Sequence, residues 1–204
     1  MQYAIKIIAN KAINTWTTAI FCAFLLLTAC TDQKPQFKSV DITGADYSQN
    51  FSLPDQFGQT RTMADFKGKV VVVFFGFVQC PDVCPTSMAE LAEVKKSLGK
   101  DGDKLQGVFI TVDPERDTPE VLKAYMQNFD PTFLALRGSL EQTTATAKHF
   151  KTYFKKVEGK TGTSYTMDHS AGSYVFDTQG RVRLYTRYGS GAVALADDIK
   201  ILLK

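Results

Sequence analysis

Histidine is scarce in this chain, with two among 204 residues, and cysteine numbers only four. Beyond residue 30 the cysteines are reduced to Cys80 and Cys84. One pair cannot staple a domain, and a chain of this length buries an adequate core without one, so a disulfide scaffold is excluded. No charge of one sign dominates either. Lys and Arg number 24 against 21 Asp and Glu, for a formal +3, and Lys6 and Lys11 supply two of those positives. The remainder stands near +1 with no clustered basic footprint, which excludes nucleic acid as a partner. Proline stops at Pro131. Any turn in the last third of the chain is made without it.

What is present begins with an apolar run, "WTTAIFCAFLLLTA", behind Lys6 and Lys11 and directly ahead of Cys30. Its length and flanks are those of a signal peptide. Leu27-Thr28-Ala29-Cys30 resembles the lipobox of bacterial lipoproteins, in which the signal is removed before a cysteine that is then acylated. The expected division is a signal peptide over 1–29, a lipidated Cys30 with a polar tether over 30–50, and a folded domain over 51–204. The domain is then extracytoplasmic, on the periplasmic side in a Gram-negative cell, and tethered to the membrane by more than one acyl chain.

The hydrophobic pattern of the folded part alternates between two periods. Residues 51–69 carry isolated apolar residues between Gly, Pro and Asp, which predicts a small hairpin. Val70–Phe75 is a continuous apolar run without alternation and predicts a strand buried on both faces. After Cys84, apolar residues at Met88, Leu91, Val94 and Leu98 recur at helical spacing. Leu105–Val112 predicts a second strand, and 118–129 a helix with Thr118 as N-cap and Pro119 in its first position. A short strand over Leu134–Leu136, a third helix over 141–157, a hairpin of Ser173–Phe176 with Val182–Tyr185 around "DTQG", and a final helix over 192–203 complete the reading. The result is an α/β sandwich of one domain, with parallel central strands, an antiparallel C-terminal hairpin and flanking helices.

In open α/β sheets the reactive groups collect beyond the carboxyl ends of the strands, where Cys80 must lie as the chain leaves Val70–Phe75. The topology is that of the thioredoxin superfamily. Its redox enzymes space their cysteines by two residues, whereas Pro81-Asp82-Val83 separates this pair. On helical geometry, residues four apart share a face with α-carbons roughly 6 Å apart, close enough for a disulfide and open enough for one ion. Spacing leaves both chemistries open. Pro85 fits a first helical turn, whose amides favour thiolates. The two histidines differ in context. His149 lies in the lysine-rich "AKHFKTYFKK" and reads as a surface side chain. His169 lies just ahead of the Ser173 strand, in the loop where thioredoxin-like enzymes carry a cis-proline that this chain lacks. Two thiols and an imidazole at one sheet end suit a thiophilic ion, Cu(I) or Zn(II), and the imidazole also suits Cu(II).

Three stretches then combine: Cys80-Pro81-Asp82-Val83-Cys84-Pro85, Val112–Pro119 ("VDPERDTP") and Asp168-His169-Ser170. Together they resemble the Sco family (synthesis of cytochrome c oxidase), over about residues 51–202. The resemblance implies a membrane-anchored, thioredoxin-fold copper chaperone serving the copper A centre of cytochrome c oxidase or another cuproprotein, with an extracytoplasmic thiol reductant as second partner. It implies Cys80, Cys84 and His169 as ligands of Cu(I) or Cu(II), Asp82 and Asp168 as nearby acidic groups, and Asp113 with Arg116 as shapers of the adjoining loop. By the residues themselves, Arg116 pairs with a neighbouring carboxylate and stiffens that loop, and Phe77 either shields the site or packs the loop. The alternatives are a thiol-disulfide oxidoreductase or a redox or copper sensor using the Cys80/Cys84 pair. A peroxidase needs a threonine-and-arginine pattern that is not visible. A monomeric soluble domain is expected.

Overall fold

Strand β4 (Val70–Gly76) is buried at all seven positions, as is β5 (Leu105–Thr111), and the two pair in parallel. Their β-branched and aromatic side chains meet apolar layers on both faces, which is why neither shows polar alternation. The computed structural model describes residues 35–160 and 164–204. The expected signal peptide and Cys30 lie outside them. Phe37–Lys204 form one compact unit. Beside β5 runs β6 (Leu134–Leu136), also parallel. On the other side of β4 lie β9 (Ser173–Phe176) and β10 (Val182–Thr186), the antiparallel hairpin read from "DTQG". The outermost strand is β1 (Val40–Asp41), which completes a six-stranded order β1-β10-β9-β4-β5-β6. This is the thioredoxin-like α/β arrangement expected from the pattern.

Helix α1 (Val83–Ser97) buries Cys84, Met88, Leu91 and Val94, so Cys84 is the first member of the apolar stripe that seats the helix on the sheet. Helix α2 (Pro119–Gln127) starts as expected, with the Thr118 hydroxyl accepting from the Val121 N–H and proline in the first turn. Residues 51–69 form the antiparallel pair β2 (Ser52–Pro54) and β3 (Thr60–Thr62), followed by a turn of 3-10 helix over Met63–Phe66. The Arg137 N–H donates to the Pro54 carbonyl at 2.9 Å and Asp55 bridges Leu136, so this hairpin covers the β6 edge. Helix α4 (Ala192–Leu202) closes the chain, and its buried Asp198 accepts from the N–H groups of Lys38 and Ser39 at 2.7 and 2.8 Å.

Three expectations differ from the structure. The sheet recruits Val40 and Asp41, so the polar segment assigned to the tether is already part of the folded unit before residue 51. The third helix, α3 (Leu140–His149), stops eight residues early. Lys151 takes a left-handed conformation at φ 52°, its N–H bonds to the Lys148 carbonyl, and the Thr152 N–H reaches back to the Ala147 carbonyl at 2.8 Å. That pair of bonds is the Schellman closure, normally given to glycine, and no glycine marks it here. The chain then turns into β7 (Phe154–Glu158), which pairs antiparallel with β8 (Tyr165–His169). His169 is therefore the last residue of a strand and not part of a loop.

Candidate metal centre

Parallel pairing puts the ends of β4 and β5 at one edge of the sheet, and β9, antiparallel to β4, begins there: Phe74 faces Ser173. The turn after β4, the loop after β5 and the residues ahead of β9 thus converge. Cys80 lies in the turn, where its N–H bonds to the Phe77 carbonyl, and not on the helix, which has Asp82 as its N-cap. The two cysteines do not share a helical face as the spacing suggested. Instead the Cys80 sulfur is folded back over the helix start, 3.5 Å from the Cys84 N–H.

Cys84 is fully buried and Cys80 half-buried, and neither is in a disulfide. Burial pushes the Cys84 thiol well above its ordinary pKa, against a backbone hydrogen bond from Phe77 that favours the thiolate. The His169 Nε2 lies 3.4 Å from the Cys84 sulfur. On its other side, Nδ1 is 2.9 Å from the Ser170 carbonyl oxygen. A carbonyl only accepts, so Nδ1 carries the proton and Nε2 turns a lone pair toward the cysteines. Burial lowers the His169 pKa, which keeps the ring neutral. Phe74 and Phe77 stand edge-on to the imidazole with centroids 6.0 and 5.8 Å away, and both are buried. Phe77 thus helps exclude water from the histidine.

One donor atom from each of Cys80, Cys84 and His169 lies within 4.8 Å of the others. Ligands about 2.0–2.3 Å from a shared ion sit roughly 3.5–4.6 Å apart, so the set is close to a metal-binding arrangement. The remaining sequence candidates surround it without joining it. Asp82 is exposed, with its carboxylate 3.3 Å from the Tyr188 hydroxyl. Asp168 points to the opposite face of β8 from His169 and is exposed across from Lys155. Buried Asp113 forms an ion pair with Arg116, and Arg116 Nη1 donates at 2.9 Å both to Gln79 Oε1, next to Cys80, and to the Tyr165 carbonyl.

Residues 40–204 match the SCO1/SenC family. The chain belongs to that family. Among SCO1/SenC relatives it is 37% identical over 161 residues to an SCO2-like protein of Rickettsia felis, covering 78% of each chain. The copper-bound structure of Bradyrhizobium japonicum ScoI superposes with a TM-score of 0.68 at 42% identity, over 75% of this chain and 97% of that one. A Bacillus anthracis SCO1/SenC family lipoprotein superposes with 0.68 at 28% identity, over 83% of this chain and 100% of that one.

Several residues of this SCO1/SenC site gave no signal in the sequence. A side chain at Gly76 would meet the Cys84 sulfur at 2.8 Å, so glycine there lets the thiol pack against β4. Asp117, buried at the end of "VDPERD", accepts from the Val78 N–H at 3.1 Å and from the Thr111 hydroxyl, and fixes the turn that leads to Cys80. Tyr165 was hidden inside a stretch not recognised as a strand.

Proposed function

We propose that this chain is a membrane-tethered, extracytoplasmic copper-binding protein that holds copper with Cys80, Cys84 and His169, and that delivers it to, or reduces the cysteines of, the copper A centre of cytochrome c oxidase. The observation that carries the reading is the convergence of two thiols and a lone pair of His169 at one sheet end. Two soft sulfurs and an imidazole favour Cu(I) and still accept Cu(II). The site's electrostatics point the same way. Burial disfavours a lone thiolate at Cys84, and a cation removes that penalty, so loading copper expels a proton while the neutral histidine needs to lose none. The oxidase as destination follows from the family resemblance, as does copper, which is bound in the Bradyrhizobium relative.

A thiol reading is favoured by the asymmetry of the pair. Half-exposed Cys80 is the sulfur a partner can reach, and buried Cys84 is the one that resolves. Attack of the Cys80 thiolate on a partner disulfide gives a mixed disulfide, Cys84 displaces the partner's second sulfur, and the partner leaves with both thiols while Cys80–Cys84 closes. An extracytoplasmic thiol reductant then restores the pair. Copper requires the reduced form, so the two chemistries compete for the same sulfurs. Titration of the reduced protein with Cu(I) against a chromogenic chelator, repeated with His169→Ala, separates them: the variant should bind copper more weakly and still form the disulfide. Unchanged copper affinity would remove His169 from the ligand set, and no Cu(I) binding by the reduced wild type would leave only the thiol reading.

The tether reading rests on "LTAC" and on the lipoprotein relative. Mass analysis of membrane-extracted protein should show loss of 1–29 with added acyl mass, and Cys30→Ala should block processing. An intact, unacylated N-terminus would overturn it.

A further inference from the structure

The hairpin that ends in His169 has no backbone ladder to the main sheet: β7 and β8 form a separate two-stranded sheet, and β7 is exposed along most of its length. The Ser170 N–H donates to the Tyr153 carbonyl at 2.9 Å and closes the hairpin on itself at its base, while Arg116 Nη1, from the 113–117 loop, donates to the Tyr165 carbonyl at 2.9 Å at the other end of β8. Along β8, Tyr165, Met167 and His169 face inward while Thr166 and Asp168 are exposed, the alternation of a strand seated by one face. The placement of the imidazole therefore depends on side chains, and those at the far end of β8 are concentrated on Tyr165. Its hydroxyl donates to buried Asp113 at 2.9 Å and lies 3.3 Å from Glu115. The Arg116 guanidinium stacks 3.6 Å from its ring centroid, and the Lys156 ammonium, itself paired with Glu115, lies 3.9 Å away. Arg116 Nη2 is buried with no hydrogen-bond partner among the described residues, so the ring face is what that side of the guanidinium rests on. The same Arg116 reaches Gln79 beside Cys80.

We propose that Tyr165 is a positioning residue that latches the β7–β8 hairpin onto the 113–117 loop and thereby holds His169 against Cys80 and Cys84. The latch and the ligand sit at opposite ends of one five-residue strand, about 13 Å apart. Removing the ring and its hydroxyl leaves that end of the strand held by the Arg116 bond to the Tyr165 carbonyl and the Lys156–Glu115 pair, which loosens the strand about its base and draws the imidazole back while leaving the dithiol in place. The inference deepens the copper reading and rests on it for the metal, though the movement of His169 can be read without metal.

The test uses full-length protein in detergent with Tyr165→Leu and Tyr165→Phe, each alone and combined with His169→Ala. In the metal-free protein, carbethoxylation followed by mass spectrometry should show His169 reacting several-fold faster in Tyr165→Leu, with exposed His149 as the unchanged internal reference. Cu(I) affinity should fall about tenfold in Tyr165→Leu and less in Tyr165→Phe, which keeps the ring. In the His169→Ala background the Tyr165 substitutions should change it less than twofold. Unchanged His169 reactivity, or an equal loss of affinity with and without His169, would overturn the latch. Should Tyr165→Leu fail to fold by circular dichroism, Tyr165→Phe and Arg116→Lys are judged by the same criteria. Absence of Cu(I) binding in the wild type would sink the copper reading alone, since the carbethoxylation comparison still decides the latch.

Discussion

Replacing Gly76 by alanine adds one methyl group at the most crowded point behind the site. The new carbon would stand 2.7 Å from Phe74 Cε1, 2.8 Å from the Cys84 sulfur and 2.9 Å from Phe109 Cε2. Ordinary contact lies near 3.5–4.0 Å, so about 0.6–1.3 Å must be recovered from each neighbour. None of the three is the free end of a flexible chain: the rings pack against each other at 6.2 Å and Cys84 is fixed in the first turn of α1. Overpacking of this kind costs about 1–3 kcal/mol. The alanine recovers about 0.4–1 kcal/mol by restricting the unfolded chain. The mid-range net cost is about 1.3 kcal/mol, so at about 2–4 °C per kcal/mol for a chain of this size the melting temperature should fall by roughly 3–5 °C. Because one of the displaced groups is the sulfur of Cys84, a proposed copper ligand, Cu(I) affinity should fall by about tenfold or more, as when the groups orienting a ligand are disturbed. Thermal melts and chelator competition on reduced Gly76→Ala read the two effects. A variant with wild-type melting temperature and wild-type affinity would refute the close packing of Cys84 on β4.

Two further outcomes follow from the ionisable groups. Burial raises Asp117 from 3.8 to about 6, so the folded protein takes up that proton before the unfolded chain does. At about 1.4 kcal/mol per pH unit this group contributes about 3 kcal/mol of stability that is complete below about pH 4 and lost as the pH rises through about 6. Relative to Asp117→Asn, denaturant unfolding of the wild type should weaken across that window, and parallel curves would contradict the assignment. The raised Cys84 pKa means that its thiol is protonated at neutral pH, so Cu(I) loading of reduced protein at pH 7 should release a proton that Cys84→Ser does not release. A pH-indicator titration checks it, and equal release from both proteins would place the proton elsewhere.

The central strands were legible because burial on both faces leaves an uninterrupted apolar signature, as in Val70–Phe75. One helix start was legible from its cap, at Thr118 and Pro119, whereas the caps at Asp82 and Ser139 were not read. The hairpin of β7 and β8 was not. Its first strand is nearly all exposed, its residues "FKKVE" suit a helix surface equally well, and the helix before it ends on a left-handed lysine. Cys80, Cys84 and His169 were readable as chemistry because their residue types are rare in this chain. Gly76, Asp117 and Tyr165 owe their roles to contacts between distant segments, and no local pattern records those.

X-ray absorption of the Cu(I)-loaded, reduced protein tests the account most directly, because it counts the atoms around the metal. Two sulfurs and one imidazole nitrogen are expected, with the nitrogen lost in His169→Ala and one sulfur lost in Cys84→Ser. A first shell without sulfur, or one unchanged by both substitutions, would contradict the assignment of Cys80, Cys84 and His169 as the copper site.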